Sequence, residues 1–351
     1  MKKCLLSLRG PFIGLLVSLV LCALLMLAVG ENPALLWEAS KSTLFTSFGL
    51  GYSLFYATPL LFTGLSVALA FHCGLFNIGA EGQLYIGSTA VILVGYLFPE
   101  LPGALALLLG IASAALSAGL WGGLAGLLKA KRGSHEVIVT ILMNFVAFAL
   151  VDYAILYPLK NLEVQNPETV PLPAPYWIPT FQESFGLFPS TPVNLSLFLA
   201  LGSAVAVYLF LFSSTAGFEM RAVGKSPLAA RFAGISSGKN MLLAFCLSGA
   251  LAGLVGVNQV MGHEHRLAEG FSPGYGFTGI AVALLARSHP IGILFSALLF
   301  GAIHNGAREI EFLSDKITKE IALILEGVLI ACLSAENLAS FFFRKQKGGK
   351  K

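Results

Sequence analysis

Long apolar stretches recur along the chain, separated by short polar, Gly-rich or Pro-rich connectors. Ten are discernible, at about 11–30, 48–70, 84–98, 103–128, 137–157, 193–213, 240–261, 274–286, 291–306 and 320–334. Most approach the roughly 20 residues that a helix needs to cross about 30 Å of hydrocarbon. The predicted fold class is an all-α polytopic membrane protein with about ten transmembrane helices, residues 1–351 forming a single transmembrane domain. The stretch 34–45 is predicted to lie at the interface before the second span. The longest connector, 159–192, is dense in proline from Pro167 to Pro192. It cannot sit in lipid, where its backbone donors and acceptors would go unsatisfied.

Composition agrees: 56% of the 351 residues are hydrophobic and 11% charged, against roughly a quarter charged in soluble domains. The net charge of +4 is too small to argue for nucleic acid. Its distribution is more telling. With an internal N-terminus and ten alternating spans, sixteen Lys and Arg fall inside and six outside, a strong positive-inside bias. Both termini, including the basic tail 335–351, and the connector 214–239 are then expected in the cytoplasm. Segments 30–46 and 159–192 are expected outside. Residues 11–29 behind Lys2, Lys3 and Arg9 look like a signal peptide, but nineteen apolar residues exceed a usual signal core, so an uncleaved first helix is expected. The cysteines Cys4, Cys22, Cys73, Cys246 and Cys332 lie in or beside apolar runs without CxxC spacing, and read as reduced small hydrophobes.

Gly119, Gly122, Gly123 and Gly126, and again Gly249 and Gly253, have the small-xxx-small spacing that lets membrane helices approach closely. Two other Gly-rich stretches interrupt the helical pattern at membrane depth, 73–83 and 269–279. They approach from opposite sides, which suggests an inverted-topology repeat with the breaks meeting at a central pathway; the alternative is two ordinary surface loops. Only Phe76 with Phe271 and Gly79 with Gly274 align between them. Polar residues in or near the spans are Asn77, Glu81, Gln83, Asn144, Asp152, Asn258, Gln259, His304, Asn305 and Glu326. Such groups in a bilayer face protein or water. Asn77, Glu81, Gln83 and Asn144 are the candidates for lining a pathway. Glu81 also has a structural reading, capping a helix that starts near residue 83. Asp152 and Glu326, near span ends, read as snorkelling or packing.

His263-Glu264-His265 lacks the HExxH spacing of a metal site and reads as a solvated loop. Residues 234–240 only approach a phosphate loop, one residue short and without Ser or Thr after Lys239. No catalytic residue, metal site or cofactor is expected, and no ATPase in this chain.

The run Gly217-Phe218-Glu219-Met220-Arg221-Ala222-Val223-Gly224-Lys225, followed by Ala229-Ala230-Arg231-Phe232-Ala233-Gly234-Ile235, resembles the cytoplasmic signature of ABC importer permeases of the branched-chain amino-acid/ribose superfamily, nucleoside/simple-sugar type. GLFNIGAEGQ at 74–83, Glu136-Val137-Ile138, Met143-Asn144 and the run 269–292 extend the likeness, in order, over about 55–310. His135 departs from it, standing where the family more often has Asn. The resemblance implies a bacterial inner-membrane complex of two permeases, usually different paralogues, two ATP-hydrolysing subunits and an extracytoplasmic binding protein. It implies that the connector at 214–239 docks on an ATPase subunit, with Glu219, Arg221, Gly224 and Arg231 as candidate contacts. Pro227 marks a helix boundary there, and the two arginines offer directional donors.

The leading expectation is a pore subunit that alternates access while partners hydrolyse ATP, carrying nucleosides first, with simple sugars or riboflavin as alternatives. A stand-alone secondary transporter using Glu81 and Asp152 is the competing reading. An intramembrane enzyme lacks a nucleophile–base constellation.

Overall fold

The computed structural model describes residues 9–334. Fourteen α-helices follow one another among them, with no strands beyond isolated bridges. They are α1 Arg9–Val29, α2 Ala34–Phe45, α3 Ser47–His72, α4 Ala80–Leu97, α5 Gly103–Arg132, α6 Glu136–Leu156, α7 Phe181–Phe185, α8 Ser196–Ser213, α9 Thr215–Lys225, α10 Pro227–Phe232, α11 Ser237–Gly253, α12 Tyr275–Leu285, α13 Pro290–Leu313 and α14 Lys319–Ser334. A π-helical stretch, Val257–Glu264, prolongs α11.

Each apolar stretch read from the sequence falls on a helix. Six helical segments among the described residues are long and apolar enough to cross a membrane: α3, α5, α6, α8, α11 with its π-helical extension, and α13. The chain is a multi-pass membrane protein. Helix α12 corrects the expectation of a full span at 274–286. Its 11 residues rise only about 16 Å at 1.5 Å per residue, half the hydrocarbon thickness.

Two compact units emerge, one from Ala57–Leu298 and the other from the segments before and after it. In the second, Cys22, Met26, Ala39, Ala307, Ile310 and Leu325 share an apolar core. The membrane polars here are partnered. His304 Nδ1 meets a Glu326 carboxylate oxygen at 2.9 Å, Asn305 donates to the Gly49 carbonyl at 2.9 Å, and Arg308 donates to the Tyr56 hydroxyl at 3.0 Å. The tail 335–351 and Cys4 lie outside the described residues.

In the Ala57–Leu298 unit, α5 and α11 pack along the glycine positions read from the sequence. A methyl group at Gly249 or Gly253 would run into backbone of Ala118 or Ala114. The Pro-dense connector is ordered by the π-helical stretch and the segment after it. Ile178 N–H donates to the Met261 carbonyl at 2.8 Å, Thr169 N–H to Leu267 at 2.9 Å, and Arg266 pairs with Glu168 at 3.0 Å. Irregular backbone persists because its groups find partners. His265 is not in a solvated loop as expected: it is half-buried and stacked on Trp177, ring centroids 4.1 Å apart. Asn258 and Gln259 are buried, with Asn258 donating to Ser196 Oγ at 3.0 Å.

The sequence-aligned pair Gly79 and Gly274 differ in conformation, φ −75° against +94°. That pair therefore lends the inverted repeat no support.

Candidate functional site

The first break leaves α3 at His72 and re-enters helix at Ala80, ahead of the start expected near residue 83. Polar side chains from the break and from α6 supply what the irregular backbone lacks. Asn77 Oδ1 accepts the Gly79 amide at 2.9 Å, and Asn144 Oδ1, from α6, accepts the Gly82 amide at 2.8 Å. Asn144 Nδ2 returns a bond to the Ile78 carbonyl at 3.0 Å, so one amide holds both sides of the turn. Asn77 and Gln83 exchange amide hydrogen bonds of 2.9 and 3.2 Å, and Asn77 also donates to Ser248 Oγ of α11 at 2.7 Å. These caps let α4 begin early, which places Glu81 and Gln83 in its first turn rather than before it.

Glu81 is freed by that arrangement to face elsewhere. Its Oε2 accepts the Gly276 amide at 2.6 Å, in the first turn of α12, and Ser272 and the Phe277 amide also bond to the carboxylate. The two breaks therefore meet, and Glu81 caps not its own helix but the opposing one. A carboxylate at a helix N-terminus satisfies free N–H groups and opposes the positive end of the helix dipole. Gly276 is required for the approach. Any Cβ there would collide with the Glu81 backbone. Tyr85 closes the contact against Phe271, ring centroids 4.7 Å apart. Asn77, Glu81, Gln83 and Asn144 are 0%, 3%, 1% and 3% exposed: the structure brings all four together, each engaged with protein.

A second constellation lies at 214–239. Ser214 caps α9 through the Gly217 amide at 3.0 Å. Ser226 caps α10 through the Ala229 amide at 3.2 Å, with Pro227 in the first turn, where its missing N–H costs nothing. Met220 and Val223 are fully buried, so α9 turns an apolar face inward. Gly224 belongs to that face: a methyl group there would strike the His72 carbonyl oxygen, with the Gly74 backbone close behind. Glu219 accepts from Asn240 Nδ2 at 3.2 Å. Arg221 lies 5.0 Å from the centre of the Phe212 ring, an arrangement in which cation and π-face attract. Of the four expected contacts, only Arg231 is fully presented to solvent.

The sequence matches the family described as "Branched-chain amino acid transport system / permease component" over residues 49–333. The chain belongs to that family. The guanosine ABC transporter permease protein NupP of Bacillus subtilis is 35% identical, over 99% of this chain and 99% of its own length. The nucleoside ABC transporter permease protein NupB of Lactococcus lactis is 32% identical, over 97% and 94%. The glucose ABC transporter permease protein TsgB13 of Haloferax volcanii is 31% identical, over 97% and 89%. The chain is thus a transport component.

Sequence reasoning missed two features of this permease. Leu228 and Phe232, one turn apart on α10, are 67% and 86% exposed and form an apolar face between basic residues; their i, i+4 spacing was the available signal. His72, at the end of α3, donates from Nε2 to the Ser288 carbonyl at 3.0 Å, beyond the C-terminus of α12. Nothing in the sequence announces that pairing across 216 positions.

Proposed function

We propose that this permease is the membrane subunit of an ATP-driven, binding-protein-dependent importer of nucleosides in a bacterial inner membrane. It forms the translocation pathway with a second permease, usually a different paralogue, and two separate subunits hydrolyse the ATP. The observation that carries the substrate class is end-to-end similarity, without large gaps in coverage, to permeases named for guanosine and nucleosides. The glucose permease at 31% identity keeps simple sugars as the second reading; riboflavin follows.

In this reading all ten helical stretches lie in the membrane, both termini are cytoplasmic, and 214–239 faces the cytosolic ATPase. The exposed Leu228 and Phe232 on α10 support such docking, since an apolar face ringed by charge suits a partner's groove. Arg231 contributes at its rim. Glu219, Arg221 and Gly224 position α9 from within. The crossing of the two breaks forms a wall of the pathway. Asn77, Glu81, Gln83 and Asn144 hold that wall in shape, because their hydrogen-bonding groups are already engaged. Alternating access is then a shift between arrangements of this wall, biased by the nucleotide state of the partners.

The test is reconstitution in liposomes with the ATPase, second permease and binding protein. ATP-dependent uptake of labelled guanosine that exceeds glucose uptake by at least tenfold is expected. Equal uptake without ATPase subunits would instead establish a stand-alone carrier.

A further inference from the structure

The half-helix α12 is gripped at both ends by one short stretch of chain. At its N-terminus the Gly276 amide is held by Glu81 at 2.6 Å; beyond its C-terminus the Ser288 carbonyl is held by His72 at 3.0 Å. Residues 72 and 81 bracket the first break. A carbonyl only accepts, so the His72 proton sits on Nε2. The turn that delivers Ser288 is unusual. Arg287 and Ser288 are both left-handed, with φ of 51° and 56°, and neither is glycine. Between the ends, backbone meets side chain without clearance: a Cβ at Gly279 would collide with Thr63. A helix of 11 residues is too short to hold itself. These contacts hold it.

Helix α9 rests on the same stretch. Gly224 and Gly74 lie backbone to backbone, and Gly74 is itself left-handed at φ +73°. The His72 ring stands edge-on to Phe212 at 5.8 Å, the ring that also carries Arg221. His72 is thus the residue at which the α9 contact, the start of the break and the end of α12 come together.

We infer that the first break and α12 move as one clamped body, and that His72 is the positioning residue through which displacement of α9 reaches it. This rests on the reading of 214–239 as the ATPase-facing connector. Sliding α9 along the membrane surface moves the 72–74 backbone with it. Because α12 is tied to 72 at one end and to 81 at the other, it follows, carrying the Glu81–Gly276 crossing. The relevant partner motion is supplied by the ATPase subunit; the clamp transmits it.

Two variants separate transmission from mere structure. His72→Phe keeps a ring against Phe212 and loses the donor; His72→Gln keeps an N–H for Ser288. Amide hydrogen exchange on the purified permease reads the clamp directly, without transport. His72→Phe should raise exchange at least tenfold both at 284–288 and at the far end, 276–278, while His72→Gln stays near wild type. Unchanged exchange at 276–278 in His72→Phe overturns the clamp. In the reassembled importer, His72→Phe should lower guanosine uptake per ATP hydrolysed at least tenfold, with hydrolysis itself within twofold of wild type and His72→Gln restoring coupling. Wild-type uptake per ATP in His72→Phe overturns the transmission role. If the wild-type complex itself transports no nucleoside, the substrate reading fails, and the exchange measurement still decides the clamp. If His72→Phe does not fold, His72→Asn, too short to reach Ser288, replaces it with the same expectations.

Discussion

The carboxylate of Glu81 accepts the backbone amide of Gly276, 195 positions away, at 2.6 Å, and so joins the two breaks of the membrane domain. Removing it has graded consequences. Glu81→Ala leaves buried N–H groups at the start of α12 without an acceptor, a loss of about 1–3 kcal/mol. Glu81→Gln keeps an acceptor oxygen but gives up the charge assistance, a smaller loss of about 1 kcal/mol. Thermal unfolding in detergent should therefore rank wild type above Gln above Ala. Equal midpoints for all three would show that the contact carries no stability.

Gly224 lies in the run that resembles the family signature, and its backbone packs closely against His72 and Gly74. Gly224→Ala pushes a methyl group into backbone, which cannot swing aside, and overpacking of this kind costs about 1–3 kcal/mol. Arg231→Ala, at an exposed position, should stay within about 0.5 kcal/mol of wild type. The expected result is a lowered folded yield and unfolding midpoint for the first variant only. A fully stable Gly224→Ala would relocate Gly224 to the docking face.

Much of this architecture is legible in the sequence because crossing hydrocarbon demands length and apolarity, and both are local properties. Every apolar stretch accordingly marks a helix. The start of α4 is misread because its cap comes from Asn144, more than sixty positions downstream; a run such as Ala80-Glu81-Gly82 carries no local helix signal. The 274–286 stretch is apolar enough for a span, and only tertiary contact reveals that α12 stops at Leu285 and is tied off at Ser288. At the candidate site, residue types point to the right neighbourhood but not to direction. From sequence, Glu81 offers a pathway group or a cap for its own helix; in the structure the helix it caps is the opposing one. The connector at 214–239 shows the same limit: its arginines stand out in sequence, while the structure also exposes the apolar side chains of Phe218, Leu228 and Phe232.

Those two side chains support a sharper test of docking. Leu228→Ser with Phe232→Ser removes the apolar face of α10 without touching buried groups, since both are exposed. Folded yield and unfolding midpoint should hold within about 0.5 kcal/mol of wild type. Recovery of the ATPase subunit with the tagged permease should fall at least tenfold. Undiminished recovery would remove α10 from the interface and leave only the rim charges to account for assembly.

Sidedness is decided by labelling. Arg231 and Glu163 are both exposed, and the positive-inside sorting puts them on opposite faces. Single cysteines at these positions, in a background with Cys4, Cys22, Cys73, Cys246 and Cys332 replaced by Ala, should react differently with a membrane-impermeant maleimide. In intact spheroplasts Glu163→Cys should label fully and Arg231→Cys should not, until the membrane is opened. The contrast follows from lipid impermeability: a charged reagent reaches only the outer face, and the α9–α10 connector must lie on the other side for a cytosolic ATPase to grip it. Labelling of Arg231→Cys in sealed cells would leave the Leu228–Phe232 face looking away from any source of ATP.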